Sequence, residues 1–147
     1  MSDIKLTQNE AERLIAMLKN ALQNSISFPR RGNKIEFKVQ GDTNRDLFVI
    51  SIYRGKINRQ KYNLGARIDK NGILLMELHV NKNDVHINPN GEKIIGSHWH
   101  FYSEEHGRRL ALPVSIEDDN FVNTTIEFMN KFNVIEQPIL IYQPELI

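Results

Sequence analysis

The 147-residue sequence predicts an α+β fold: a strongly curved antiparallel sheet or half-barrel of about five to six strands, flanked by an N-terminal and a C-terminal helix. A capped amphipathic segment opens the chain. Two-residue periodicity, broken by turn residues, then runs through its middle. A second stretch of helical spacing lies near residues 115–132.

Thr7 and Glu10 form a capping-box pair, after which Ala11, Leu14, Ile15, Leu18 and Leu22 recur at helical spacing. This predicts a helix with one apolar face, with Lys19 and Asn20 away from that face. Phe28-Pro29 and Gly32 end the segment. Ile35, Phe37 and Val39 alternate with Lys34, Glu36 and Lys38, the pattern of a half-buried strand. After a Gly41–Asn44 turn, Leu47 to Arg54 forms a second strand rich in β-branched and aromatic residues. A third runs from Gln60 to Ile68 with Tyr62, Leu64, Ala66 and Ile68 on one face. Asn71-Gly72 is a hairpin turn. The strand beyond it points Leu74, Met76, Leu78 and Val80 one way and Glu77 and His79 the other. A polar loop holding the turn Asn88-Pro89-Asn90-Gly91 precedes a strand from about Ile94 to Tyr102 and a shorter one at Arg108 to Leu112. A second helix begins near Ser115 or Asp118, with Val122, Ile126, Met129 and Phe132 as its core stripe. An extended piece, Pro138 to Tyr142, closes the fold.

Length and composition fit one domain spanning residues 1–147. Apolar residues make up 40% and charged residues 25%, ordinary for a soluble globular protein. With no cysteine, a disulfide framework and a thiolate zinc site are both excluded. Met1 to Lys5 has no apolar run of a signal peptide, and the longest apolar stretches, at Leu47–Ile52 and Ile73–Met76, are too short to span a bilayer. The expected setting is cytoplasmic, away from membranes. The net charge of +1 hides an asymmetry. Residues 1–75 carry 14 Lys/Arg against 7 Asp/Glu, and residues 76–147 carry 5 against 11. Such a split marks either a basic binding face or two halves that attract each other.

Chemistry concentrates in Ser97-His98-Trp99-His100-Phe101-Tyr102. On a strand, His98, His100 and Tyr102 share one face, and Trp99 and Phe101 share the opposite, core-directed one. The histidine face is then the polar face. If this strand pairs with the one carrying Glu77 and His79, all four groups converge. Two histidines can divide general acid and base work near neutral pH. Cleavage of RNA through its 2′-hydroxyl needs such a pair plus a cation, for which Arg108 and Arg109 are at hand, with Tyr102 as a further donor. The same histidines suit zinc, with His98 and His100 joined by His79 or Glu77 as ligands, although no His-Glu-x-x-His motif or second ligand cluster accompanies them. The bland alternative is surface or hydrogen-bonded strand histidines. His86 and His106 fall in loop-like sequence and read as incidental.

Arg54, Lys56, Arg59, Lys61 and Arg67 are interleaved with Tyr53 and Tyr62, which suits RNA or single-stranded nucleic acid. The pI near 8.0 falls short of a strongly basic footprint, and lysine and arginine on exposed strands also guard against edge pairing.

Tyr53-Arg54-Gly55-Lys56, His86-Ile87-Asn88-Pro89-Asn90-Gly91, His98-Trp99-His100-Phe101-Tyr102, Gly107-Arg108-Arg109 and Leu112-Pro113 together resemble an uncharacterised family of short bacterial and phage proteins, a domain of unknown function. That resemblance implies a mobile-element context, where small nucleases, toxins and inhibitors of host or phage machinery are common. It implies no particular mechanism.

The leading expectation is a small nucleic-acid-processing protein: a metal-independent ribonuclease of the toxin or defence type. His98 and His100 would be acid and base, Arg108 or Arg109 would stabilise the transition state, and no cofactor would be needed. The rival is a non-enzymatic binding protein, such as a phage or mobile-element inhibitor of a bacterial defence nuclease. In that reading a histidine-ligated structural zinc holds the fold, and acidic Glu104, Glu105, Glu117, Asp118 and Asp119 imitate nucleic acid towards a protein partner.

Overall fold

Thr7 caps the first helix as expected. Its hydroxyl accepts the Glu10 backbone N–H, and the Glu10 carboxylate accepts the Thr7 N–H, a reciprocal pair that satisfies two backbone donors at the helix start. In the computed structural model, which describes residues 5–56, 61–116 and 120–142, this helix (α1) covers Gln8–Ala16. Among the described residues twelve strands follow in chain order, with a second helix between the tenth and eleventh: β1 (Lys19–Ala21), β2 (Ser25–Ser27), β3 (Lys34–Gln40), β4 (Leu47–Arg54), β5 (Tyr62–Ile68), β6 (Leu74–Val80), β7 (Val85–Ile87), β8 (Lys93–Ile95), β9 (His98–Phe101), β10 (Ala111–Pro113), α2 (Phe121–Lys131), β11 (Val134–Glu136) and β12 (Ile139–Ile141).

The fold is α+β, but its main sheet is larger than expected: eight strands in the order β10-β9-β6-β5-β4-β3-β1-β11, not closed. Every neighbouring pair is antiparallel except β1–β11, which is parallel. Two small pairs, β12–β2 and β7–β8, stand outside it. The four long strands β3 to β6 lie where the alternation put them. The third begins at Tyr62; the expected start at Gln60 and the neighbouring Arg59 lie outside the described residues, as does the Asp118 start of the second helix.

Four expectations are corrected. The first helix stops at Ala16, and Lys19–Ala21 becomes strand β1, so Leu18 is 58% exposed while Lys19 is wholly buried. The strand expected over Ile94–Tyr102 is two strands, because Gly96 between them holds φ at +99°, a left-handed value that suits glycine. The polar loop before it contains β7, paired with β8. In α2, capped by the Asn120 side chain, the buried face is Thr124, Thr125, Phe128 and Met129, followed by Phe132; Ile126 is exposed.

One face of the central sheet carries the core: Phe37, Phe48, Ile50, Leu64, Met76 and Leu78 pack with Phe128, Met129 and Phe132 of the second helical segment. A register shift in the β5–β6 pairing lets both Leu75 and Met76 turn into that core. Trp99 and Phe101 lie on this side as expected, with Trp99 stacked on Phe128 at 5.9 Å between centroids.

Lys19 explains how α1 ends. Its ammonium donates to the carbonyls of Ile15 (3.0 Å), Met17 (2.8 Å) and Phe132 (2.8 Å). Three donors meet three acceptors, and two of the carbonyls lie at the helix's C-terminal end. The ring of Phe132 faces the charge at 3.8 Å. Burial pulls the Lys19 pKa down to about 7, opposed by the charge of Asp42. Lys19→Met, which keeps the stem and removes the donors, should lower unfolding free energy by roughly 3 kcal/mol in urea denaturation. Leu18→Ala, one residue away, should change it by less than about 0.5 kcal/mol.

Candidate metal centre

The antiparallel register of β6 and β9 sets Glu77 opposite His100 and His79 opposite His98. Directly paired residues share a face, so the alternation that sends Leu78 and Trp99 into the core sends these four to the other side. The convergence expected from sequence is present. Each of His79, His98 and His100 offers one ring nitrogen, and those nitrogens all lie within 4.8 Å of one another.

The histidine face is not an open polar surface, and that expectation is corrected. His98 is 1% exposed and His100 5%. The hairpin β7–β8 supplies part of the cover: its exposed Val85 and Ile87 flank His86, which turns inward beside buried Ile94, its direct cross-strand partner. The His86 ring lies 4.9 Å from that of His100 and 5.4 Å from that of His98. Asn88 fastens the end of the hairpin to β10. Its amide accepts the Ala111 N–H at 2.7 Å and donates to the Ala111 carbonyl at 3.0 Å, reproducing with a side chain the pairing of a strand.

The hydrogen bonds around the rings assign their tautomers. A backbone carbonyl can only accept, so His98 Nδ1 carries the proton given to the Gly96 carbonyl (2.9 Å), and His86 Nε2 carries the one given to the Arg109 carbonyl (2.8 Å). His79 Nε2 donates to the Glu77 carboxylate at 3.3 Å, and Arg108 closes on the other carboxylate oxygen at 2.7 Å. In the neutral rings the second nitrogen of each keeps its lone pair. His100 Nδ1 is buried with no hydrogen-bond partner. Burial pushes the His100 pKa down to about 4, aided by repulsion from His79 and His98 and opposed by Glu77. Burial works to raise the Glu77 carboxyl, but the His79 hydrogen bond and the charges of Arg108, His79 and His100 outweigh it and hold the group below its ordinary value. At neutral pH His100 is therefore an uncharged imidazole beside a carboxylate. Metal ligands need that protonation state, and partners that hold the outer ring nitrogens are a regular feature of metal sites.

Other residues singled out from sequence are not drawn into this cluster. The Tyr102 hydroxyl donates to the Leu6 carbonyl at 2.9 Å and accepts the Leu6 N–H at 3.0 Å, tying the chain ahead of α1 to the end of β9. Arg109 is exposed, its side chain near the His106 carbonyl at 3.4 Å. Arg108 is 60% exposed and reaches the site only through Glu77. His106 stands apart, 3.6 Å from Glu105. Among the described basic residues, Arg54 and Arg67 lie on opposite faces of the sheet. Arg54 lies on the core face, its guanidinium donating to the Pro29 carbonyl at 3.0 Å and lying 4.5 Å over the Phe121 ring, whereas Arg67 on the outer face is paired with Glu36 at 2.8 Å. Lys56 and Lys61 are exposed. Sequence reasoning missed His86 and Asn88. The available signal was the β-branched pair around His86 and the isoleucines at 94–95, flanking a four-residue turn as a hairpin does.

Fold and site together define an α+β protein whose sheet carries a largely buried cluster of three histidines that could hold a metal ion. The chain belongs to a family of unknown function (DUF6978), which it matches over residues 6–134. No match was found among curated proteins or among solved structures. No helix of the described residues is long and apolar enough to cross a membrane.

Acid should unfold the metal-free protein through this cluster. His100 titrates at about 4 when folded and at about 6.5 when unfolded, so between those values the unfolded chain holds the extra proton. The stability it contributes is complete above pH 6.5 and is lost as pH falls through 4, a change on the order of 3 kcal/mol. Urea denaturation in chelator across that range measures the loss, and His100→Gln should flatten it.

Proposed function

We propose that this protein is a histidine-ligated zinc protein that acts by binding a partner and not by catalysis, with His79, His98 and His100 as metal ligands. The observation that carries the reading is the trio, two of its members buried, whose ring nitrogens lie within 4.8 Å of one another, with one nitrogen of His98 and one of His79 hydrogen-bonded by Gly96 and Glu77. Zinc suits a small, all-imidazole set near a single carboxylate, and tetrahedral bonds of ~2.0–2.1 Å would require only a modest contraction to a nitrogen spacing of about 3.3 Å. The contribution to the fold is direct, because a metal bound by β6 and β9 stabilises the folded state over a chain in which those strands are apart.

The acid–base ribonuclease is the second reading, and Arg108 beside Glu77 favours it by placing a cation next to the histidines. It also requires a phosphodiester to come within hydrogen-bond reach of His98 and His100. Their near-complete burial weighs against that.

Protein stripped by chelator should take up one zinc ion per chain in a competition titration. Saturation should raise its melting temperature by roughly 10 °C. His98→Ala and His100→Ala should abolish both effects, and labelled RNA should remain intact with or without zinc. Failure to bind zinc, together with chelator-insensitive RNA cleavage that the same variants remove, would overturn the proposal in favour of the ribonuclease.

A further inference from the structure

We infer that His86 is the fourth metal ligand, making the centre a closed four-histidine site that clamps the β7–β8 hairpin onto the main sheet. This rests on the zinc reading above and adds to it which element the metal holds and whether a coordination position stays open.

Ring spacing carries the inference. Four imidazoles around one tetrahedral ion, each bound at ~2.0–2.1 Å through one nitrogen, place their ring centroids about 5 Å apart. The pair His79–His98 stands at 5.1 Å, His79–His100 at 5.0 Å, His98–His100 at 4.9 Å, His86–His100 at 4.9 Å and His86–His98 at 5.4 Å. His86 therefore stands at that distance from two of the three rings, His98 and His100, on the side of the trio that the hairpin covers, and an inward shift of the hairpin towards His79 would complete the set. Its Nε2 proton is committed to the Arg109 carbonyl at 2.8 Å, which leaves Nδ1 as the nitrogen with a lone pair. The unpartnered, buried Nδ1 of His100 is a second and independent sign that a group is expected among these rings.

The hairpin has few other reasons to stay in place. It forms a two-stranded sheet of its own, three residues a side, and such a pair is marginal alone. Its outer residues Val85, Ile87 and Ile95 are exposed, and its inner face is His86 and Ile94. Asn88 fastens one end through Ala111. A metal bound through His86 would fasten the middle, linking a local hairpin to strands β6 and β9. Zinc sites with four protein ligands are structural, whereas catalytic ones keep a position open, so His86 also decides which kind this is.

The test compares chelator-stripped wild type with His86→Ala, His86→Gln, His98→Ala and His106→Ala, using zinc alone as the probe. Zinc affinity and amide exchange of residues 85–87 and 93–95 are both followed. His86→Gln keeps a donor for the Arg109 carbonyl, so a loss shared by both His86 variants reports the ligand and not the docking. Wild type and His106→Ala should bind equally, with zinc slowing exchange across the hairpin. Both His86 variants should bind at least 10-fold more weakly, and zinc should no longer protect the hairpin. His98→Ala should not bind. X-ray absorption of the zinc-loaded wild type, independent of any variant's folding, should count four imidazole nitrogens. Three imidazoles plus water, with undiminished affinity in the His86 variants, would overturn the four-histidine centre and leave the three-histidine reading standing. No zinc binding by wild type would remove both.

Discussion

The pairing of β6 with β9 is the constraint on which core and site both depend. Side chains alternate along a strand, so one register decides two things together: Leu78 and Trp99 meet inside, and His79 and His98 meet outside. A slip of one residue would drive His98 and His100 into the apolar core and expose Trp99 and Phe101, whose contacts with each other and with Phe128 hold α2. The apolar cost of misregister therefore protects the geometry of the polar cluster. Selection for packing on one face keeps the ring nitrogens in place on the other.

What covers the histidines shapes their chemistry as much as what aligns them. Without the hairpin more of this face would meet water. Beneath it, His100 resists protonation, and Glu77, held by His79 and Arg108, keeps its charge. A polar cluster buried with one nitrogen unsatisfied is an expensive arrangement for a protein that has no use for it. That cost supports the proposed metal centre over a by-product of packing.

Much of this was legible in the amino-acid order, and the division is physical. Thr7 and Glu10 announce a helix start because capping is local chemistry, and β3 to β6 show alternation because they are seven or eight residues long. The shared face of His98 and His100 follows from the same period. Strands of three residues such as β1, β7, β8 and β11 are too short to display any period and exist because partners elsewhere complete them. Lys19 was misread for a related reason. A lysine off the apolar stripe of an expected helix looks solvent-facing until a carbonyl 113 residues away and two aromatic rings make its burial favourable. His86 belonged to a segment whose polar neighbours suggested a loop, and only the third dimension brings it to the other rings.

The single parallel pairing in the main sheet, β1 with β11, has a consequence for how the molecule comes into being. It joins Lys19 to Val134, and the Lys19 ammonium bonds Phe132 in the same region. On a growing chain, α1 and β1 emerge first and must wait until residues 132–136 have been made before this edge can close. Until then β1 has only β3 beside it, and the Lys19 charge has no reason to leave water. Closing so large a loop is entropically slow, so the edge should be among the last parts of the sheet to form. A chain interrupted before residue 132 would lack the carbonyl on which Lys19's burial depends, leaving an incomplete sheet edge for the quality-control machinery of the cell to meet.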